Sequence, residues 1–213
     1  MLQRKERLTR LLLAPVLVVG GLWVHELVQA QAGTPYLFEN ALERAIPFWP
    51  WTIWVYFSFF VFIGSTVFRV EAALFWHFVG AATLAAAIAW SIVLLVPVSF
   101  ARPDALQIEN DLYSWIFARV HELDPFHITF PSLHVAVTWI CNIVLWNRPG
   151  RGWRIALGTG ISLSTLLTKQ HLVADVIGGI ALAWFCVWAV RVAARTIVSR
   201  RFLASRAGHE DTQ

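Results

Sequence analysis

The chain has 213 residues, of which 58% are hydrophobic and only 14% charged, with twelve Trp and fifteen Phe. That composition excludes an ordinary soluble domain and points to a membrane chain. The net charge of +4 is then a topology signal rather than a nucleic-acid signal, and no nucleic-acid partner is expected.

Taken in chain order, the first apolar run covers residues 11 to 30 and follows a basic start at Arg4, Lys5, Arg7 and Arg10. With Ala30-Gln31-Ala32 behind it, the segment mimics a cleavable signal peptide; its length and the presence of His25 and Glu26 favour a retained helix. Further runs lie at 48 to 68, 72 to 98, 130 to 147, 153 to 168 and 171 to 191. A helix needs about 20 residues to cross a bilayer core, and only the fifth run is clearly short of that. The expected fold is all-α, a polytopic bundle of six transmembrane helices forming a single membrane domain over residues 1 to 213. Thirteen of the seventeen Lys and Arg fall on one side of such a bundle; Arg44, Arg102, Arg119 and Lys169 fall on the other. The positive-inside rule then places both termini in the cytoplasm. The basic tail, about 192 to 213, is expected to rest on anionic lipid head groups and otherwise to be poorly ordered.

Between the third and fourth spans, residues 104 to 126 carry Leu112, Trp115, Ile116, Val120 and Leu123 at helical spacing. This predicts a helix lying flat on the outer leaflet, capped by Asp104 and ended by Pro125. It either guides a lipid head group inward or merely covers the bundle. His121 and His127 read as surface residues of this segment, and His77 as structural or interfacial. Cys141 and Cys186 lie in separate apolar runs without metal-type spacing, which predicts buried structural thiols.

The polar residues converge on one depth. The fourth span enters from outside near Pro131 and Ser132, so His134 lies in its first turn. The sixth enters from the same side through "TKQHLVAD", where His171 and Asp175 are four residues apart and so share one helical face. Arg102 and Lys169 reach that level too. Ionisable groups inside membrane helices are costly and are functional candidates by default. A carboxylate beside His171 fixes the ring and frees its second nitrogen as nucleophile or base. His134 can exchange a proton with a leaving group. Arg102, Lys169, the Ser132 hydroxyl and the N–H groups opening the fourth helix suit an anion with several oxygens, phosphate before carboxylate. Gly178 and Gly179 just beyond are expected to permit close helix contact.

These segments resemble the type 2 phosphatidic acid phosphatase (PAP2) superfamily. "PSLH" at 131 to 134 is similar to its second signature, "STLLTKQHLVAD" at 164 to 175 to its third, and "RP" at 102 and 103 to the end of its first. The resemblance covers about residues 50 to 190. It implies that His171 attacks phosphorus to form a phosphohistidine, that Asp175 orients it, that His134 protonates the leaving oxygen, and that Arg102 and Ser132 hold the phosphoryl oxygens. No cofactor and no metal are expected. Two positions depart from the pattern: Leu95 stands where the first signature has Lys, and Thr165 where the third has Arg. Lys169 is the candidate replacement, with a surface anchor as its alternative role.

The altered third signature is similar to the branch containing inositol phosphorylceramide synthase. Two outcomes therefore stand side by side. A phosphatase releases phosphate from a lipid phosphate or diphosphate; a phosphotransferase hands a phospho-head group to a lipid alcohol. The compact chain favours the phosphatase. The expected partners are a lipid phosphate substrate and membrane lipids, in a bacterial cytoplasmic membrane with the site on the non-cytoplasmic side; oligomeric state is open. A proton-coupled transporter would place its ionisable groups near the midplane, and a metal-dependent membrane hydrolase would use the two His and the Asp as ligands.

Overall fold

The computed structural model describes residues 2–38, 40–124 and 128–210, with the side chains at 2–8, 10–12, 14–18 and 198–210 outside that description. It is helical nearly throughout. The described residues form α1 (Leu2–Gln31), α2 (Ala41–Ala45), α3 (Ile53–Arg69), α4 (Ala72–Leu95), α5 (Asp111–Leu123), α6 (Leu133–Val144), α7 (Arg151–Leu167) and α8 (Val173–Glu210). Two 3-10 turns, Pro50–Thr52 and Ala105–Gln107, precede α3 and α5. Among the described residues, three stretches are long and apolar enough to cross a membrane: Pro50–Arg69, Ala72–Leu95 and Val173–Ile197.

The bundle is organised around α6. Eight of its twelve residues are buried, from Val135 to Val144, and it packs against α8, α4, α7 and α3. Facing it, α4 presents Ala81, Ala85 and Ala89 at four-residue spacing, all essentially fully buried. Small side chains let helix backbones approach where lipid supplies no hydrophobic drive for association. The opposite faces carry exposed Val61, Trp76, Ile177, Trp184 and Trp188, which is what helices facing hydrocarbon require. Cys141 and Cys186 are free and buried in this core.

Several elements differ from the sequence expectations. The fourth apolar run, 130 to 147, yields only the twelve-residue α6, about 18 Å of helix at 1.5 Å per residue. Its ends are consumed by the non-helical entry through Pro131 and by turns after Val144. The single helix predicted over 104 to 126 is broken in two. Asp104 caps the 3-10 turn through Leu106 N–H (2.9 Å), and Asn110 caps α5 through the N–H groups of Leu112 (3.1 Å) and Tyr113 (3.3 Å). The apolar stripe of α5 also divides: Ile116 and its neighbour Phe117 are buried, whereas Leu112, Trp115 and Leu123 are exposed. Pro125 and His127 lie outside the described residues. Beyond Arg191 the α8 backbone continues as helix to Glu210.

The end of the bundle that carries His134 and His171 is closed by a layer of main-chain pairing with no sequence signal. Tyr36–Leu37 and Val98–Ser99 form a short parallel pair, β1 with β2. The Tyr36 N–H donates to Pro97 O (2.8 Å), the Phe38 N–H to Ser99 O (2.8 Å) and the Thr129 N–H to Val98 O (2.9 Å). The segments leaving α1, leaving α4 and entering α6 are thereby held side by side. Trp49 N–H, just before α3, donates to Leu167 O at the end of α7 (2.8 Å).

Candidate active site

His171 is delivered by a tight reversal at the end of α7. The Lys169 N–H donates to Leu166 O (3.1 Å) and the Gln170 N–H to Thr165 O (2.9 Å), the bonding pattern of a Schellman stop. The residue in the left-handed position is Lys169, at φ +54°, where glycine is usual. Two residues on, α8 begins at Val173. His171 therefore precedes the helix rather than lying on its face, which corrects the reading of the four-residue spacing.

The pair still meets. The His171 ring Nδ1 lies 3.3 Å from Asp175 Oδ2, and the same oxygen accepts the Leu172 N–H at 2.8 Å. Asp175 is the third residue of α8, so it caps the helix from the position of the acidic half of a capping box while it orients the imidazole. It is fully buried, and its other oxygen, Oδ1, has no hydrogen-bond partner among the described residues. With Nδ1 facing the carboxylate, Nε2 is the nitrogen of His171 left for chemistry.

A residue outside the three signatures shares this helix start. Glu43, in α2, accepts the Val173 N–H on Oε1 (2.9 Å), and its main-chain oxygen accepts from Lys169 Nζ (2.7 Å). Burial lowers the pKa of Lys169, with Glu43 opposing. The structure thus ties Lys169 to α2. Asn40, which accepts the Glu43 N–H (2.9 Å), makes with Glu43 the spacing that marks a helix start, the one sequence signal for this element.

His134 is the second residue of α6. Its ring stacks on Tyr56 (centroids 4.1 Å apart) and Phe59 (3.7 Å) of α3, and its Nε2 lies 3.3 Å from the Tyr56 carbonyl. Donation to that oxygen leaves Nδ1 as the exchangeable position. His134 and His171 are close enough for the charge of one to act on the other. The helix starts behind them are joined directly: the Ser132 N–H donates to Asp175 O at 3.2 Å. Ser132 is fully buried and its hydroxyl oxygen accepts the Val135 N–H (3.2 Å). Close approach is possible because Gly178 and Gly179 face this turn. A β-carbon at Gly179 would lie 2.6 Å from Ser132 O, and one at Gly178 would lie 2.8 Å from the Phe130 ring.

Arg102 faces Asp124, the residue that ends α5. Its Nη2 donates to Asp124 O (3.0 Å), and Nη1 lies 3.9 Å from Oδ2. Nη1 is buried without a hydrogen-bond partner among the described residues. Burial lowers the Arg102 pKa and Asp124 opposes that shift. Burial, joined by Arg102, holds the His121 imidazole below its usual value, with Asp124 and Asp104 opposing.

The two departures from the family pattern are also explained. Leu95 is the last residue of α4 and is exposed. Thr165 is fully buried and turns its hydroxyl onto Ser162 O (2.7 Å), so neither supplies a donor to the site. Open clefts lie elsewhere, one of about 360 Å³ beside Trp146, Arg148 and Arg191 and one of about 480 Å³ beside Phe48, Pro103 and Tyr113. Among the described residues no three His, Cys, Asp or Glu side chains converge as a metal would require.

The profile of the PAP2 superfamily matches residues 81–198, which is more than half of the chain. The protein belongs to the PAP2 superfamily. At that level it is a membrane enzyme of the phosphatase and phosphotransferase type. No curated protein and no solved structure gives a significant match.

Proposed function

We propose that this protein is a membrane-embedded lipid phosphatase that works through a phosphohistidine at the non-cytoplasmic face. In this reading His171 Nε2 attacks phosphorus and the bond from phosphorus to the lipid oxygen breaks. His134, protonated at that stage, gives its proton to the leaving oxygen. Water then attacks the phosphohistidine, the nitrogen–phosphorus bond breaks, the proton of the water passes to His134, and inorganic phosphate departs. The observation that carries the proposal is the single buried oxygen of Asp175 shared between the His171 ring and the Leu172 N–H, which holds a nucleophile in one orientation without occupying Nε2.

Arg102 Nη1, the Ser132 hydroxyl hydrogen and the first-turn N–H groups of Leu133 and His134 are the donors offered to the phosphoryl oxygens. Of the four open N–H groups at the start of α6, those of Ser132 and Val135 are engaged. Lys169 is assigned to anchoring rather than to phosphate. We further infer six spans, α1, α3, α4, α6, α7 and α8, with both termini in the cytoplasm. In that arrangement α5 lies on the outer leaflet with Leu112, Trp115 and Leu123 toward lipid.

A phosphotransferase of the inositol phosphorylceramide synthase type differs only in the second step, where a lipid alcohol replaces water. The test is to incubate purified protein with phosphatidic acid, with a prenyl diphosphate, and with a head-group donor plus ceramide or diacylglycerol. Free phosphate supports the phosphatase and a new phospholipid the transferase. Persistence of either product in His171→Ala sinks the shared mechanism. Loss of activity in EDTA would move the reading toward a metal-dependent hydrolase.

A further inference from the structure

The side chain of Gln29, on α1, is buried at 2% exposure and lies between two elements. Its Nε2 donates to Ile128 O at 3.1 Å. A carbonyl oxygen accepts only, so this contact fixes which end of the amide is nitrogen. The same Nε2 lies 2.9 Å from Nε2 of His25, one helical turn earlier. An amide nitrogen donates only, so His25 Nε2 must be the acceptor and the ring proton of neutral His25 must sit on Nδ1. That Nδ1 is buried and has no hydrogen-bond partner among the described residues. His171 and Asp124 both lie within electrostatic reach of the ring. A buried donor left open is costly, and this one stands in the neighbourhood of a nucleophile whose family partners at positions 95 and 165 have been replaced by Leu and Thr.

We propose that His25 is a phosphoryl-binding residue of the same site, its Nδ1–H donating to an oxygen of the group that His171 attacks, with Gln29 as the positioning residue that fixes the tautomer. The inference rests on the phosphoryl-transfer reading above and adds to it a neutral donor from α1. A neutral imidazole suits this place because Arg102 already supplies charge, and because a donor locked in one tautomer needs no reorganisation as negative charge builds on the oxygen.

The geometry of amide side chains gives a discriminating test. The nitrogen of Asn can overlay Nδ1 of histidine, whereas that of Gln overlays Nε2. Phosphate release from phosphatidic acid and its inhibition by orthovanadate are measured for the wild type, His25→Asn, His25→Gln and Gln29→Met in liposomes. Loss of one preorganised donor is expected to lower kcat in His25→Gln by about a hundredfold, with weaker vanadate inhibition. His25→Asn should recover at least tenfold of that loss, and Gln29→Met, which frees the tautomer, should fall in the same direction as His25→Gln. Equal activity in the Asn and Gln variants, or unchanged vanadate inhibition in all three, overturns the proposal. If one variant fails to remain monodisperse, the others still decide it. A wild type that neither releases nor transfers phosphate overturns the underlying reading and this inference with it; an active wild type with indifferent variants overturns this inference alone.

Discussion

The Ser132 N–H donates to the main-chain oxygen of Asp175, fastening the first turn of α6 to the first turn of α8. His134 and His171 lie two residues after one end of this bond and four before the other. Their separation is therefore governed by backbone contact between two helix starts, and side-chain packing only refines it.

Gly179 is the position where that contact is most easily disturbed. In Gly179→Ala the new methyl group would meet Ser132 O at 2.6 Å and the Val135 β-carbon at 3.1 Å, so the helix starts must separate. A loss of about 1–3 kcal/mol is expected from overpacking, together with at least tenfold lower phosphate release. Gly64→Ala, with nothing within 4 Å, is the control and should keep both. Thermal unfolding in detergent and a phosphate assay read the comparison, and equal behaviour of the two variants contradicts it.

Asp175→Asn keeps the size of the side chain but replaces an acceptor of two N–H groups by a neutral amide. The positive charge that the His171 ring acquires when its Nε2 bonds to phosphorus loses its counter-charge. A fall in kcat of about a hundredfold or more is expected, with substrate KM changed far less. Retention of wild-type kcat would show that the carboxylate serves only as a helix cap.

Lys169 holds a left-handed backbone conformation and donates to Glu43 O. Lys169→Gly relieves the first and removes the second, so the net change in stability should stay within about 1 kcal/mol. Activity should remain within a few-fold of wild type if Lys169 anchors α2. A hundredfold loss of phosphate release would return Lys169 to the phosphate cage.

His121 gives a pH signature. Its folded pKa lies below the ordinary value of 6.5 because of burial and Arg102. The unfolded chain therefore takes up a proton from about pH 6.5 downward while the folded protein does not. The stability contribution is intact above that pH and drains away as the pH falls toward the lower folded value. Between pH 7 and pH 5 the Tm of the wild type should drop further than that of His121→Gln; parallel curves would disprove the linkage.

Much of the candidate site's geometry was legible in the sequence because its residues sit near helix starts, where spacing has meaning. The pairing of His171 with Asp175 follows from four intervening steps of chain, although a turn rather than a helical face accomplishes it. Glu43, Asp124 and Gln29 were not legible. Each acts through a main-chain group or a residue on another element, up to 130 positions away in sequence, and no periodicity encodes that. The reversal at Lys169 was hidden because its usual marker, glycine, is absent. The length of α6 was overestimated for a different reason: apolar composition continues through residues whose backbone has already turned.

The strand-like closure that joins the segments after α1, after α4 and before α6 is built mainly from peptide groups, with the Thr129 hydroxyl adding one long donation to Val98 O (3.5 Å). Tyr36 and Leu37 are exposed whereas Ser99 is buried, so the main-chain pairing leaves the first two positions free to vary. Substitutions there can reshape the approach to the two histidines while the scaffold beneath stays put, which makes this seam the natural place for related enzymes to diversify, or for an engineer to change what enters.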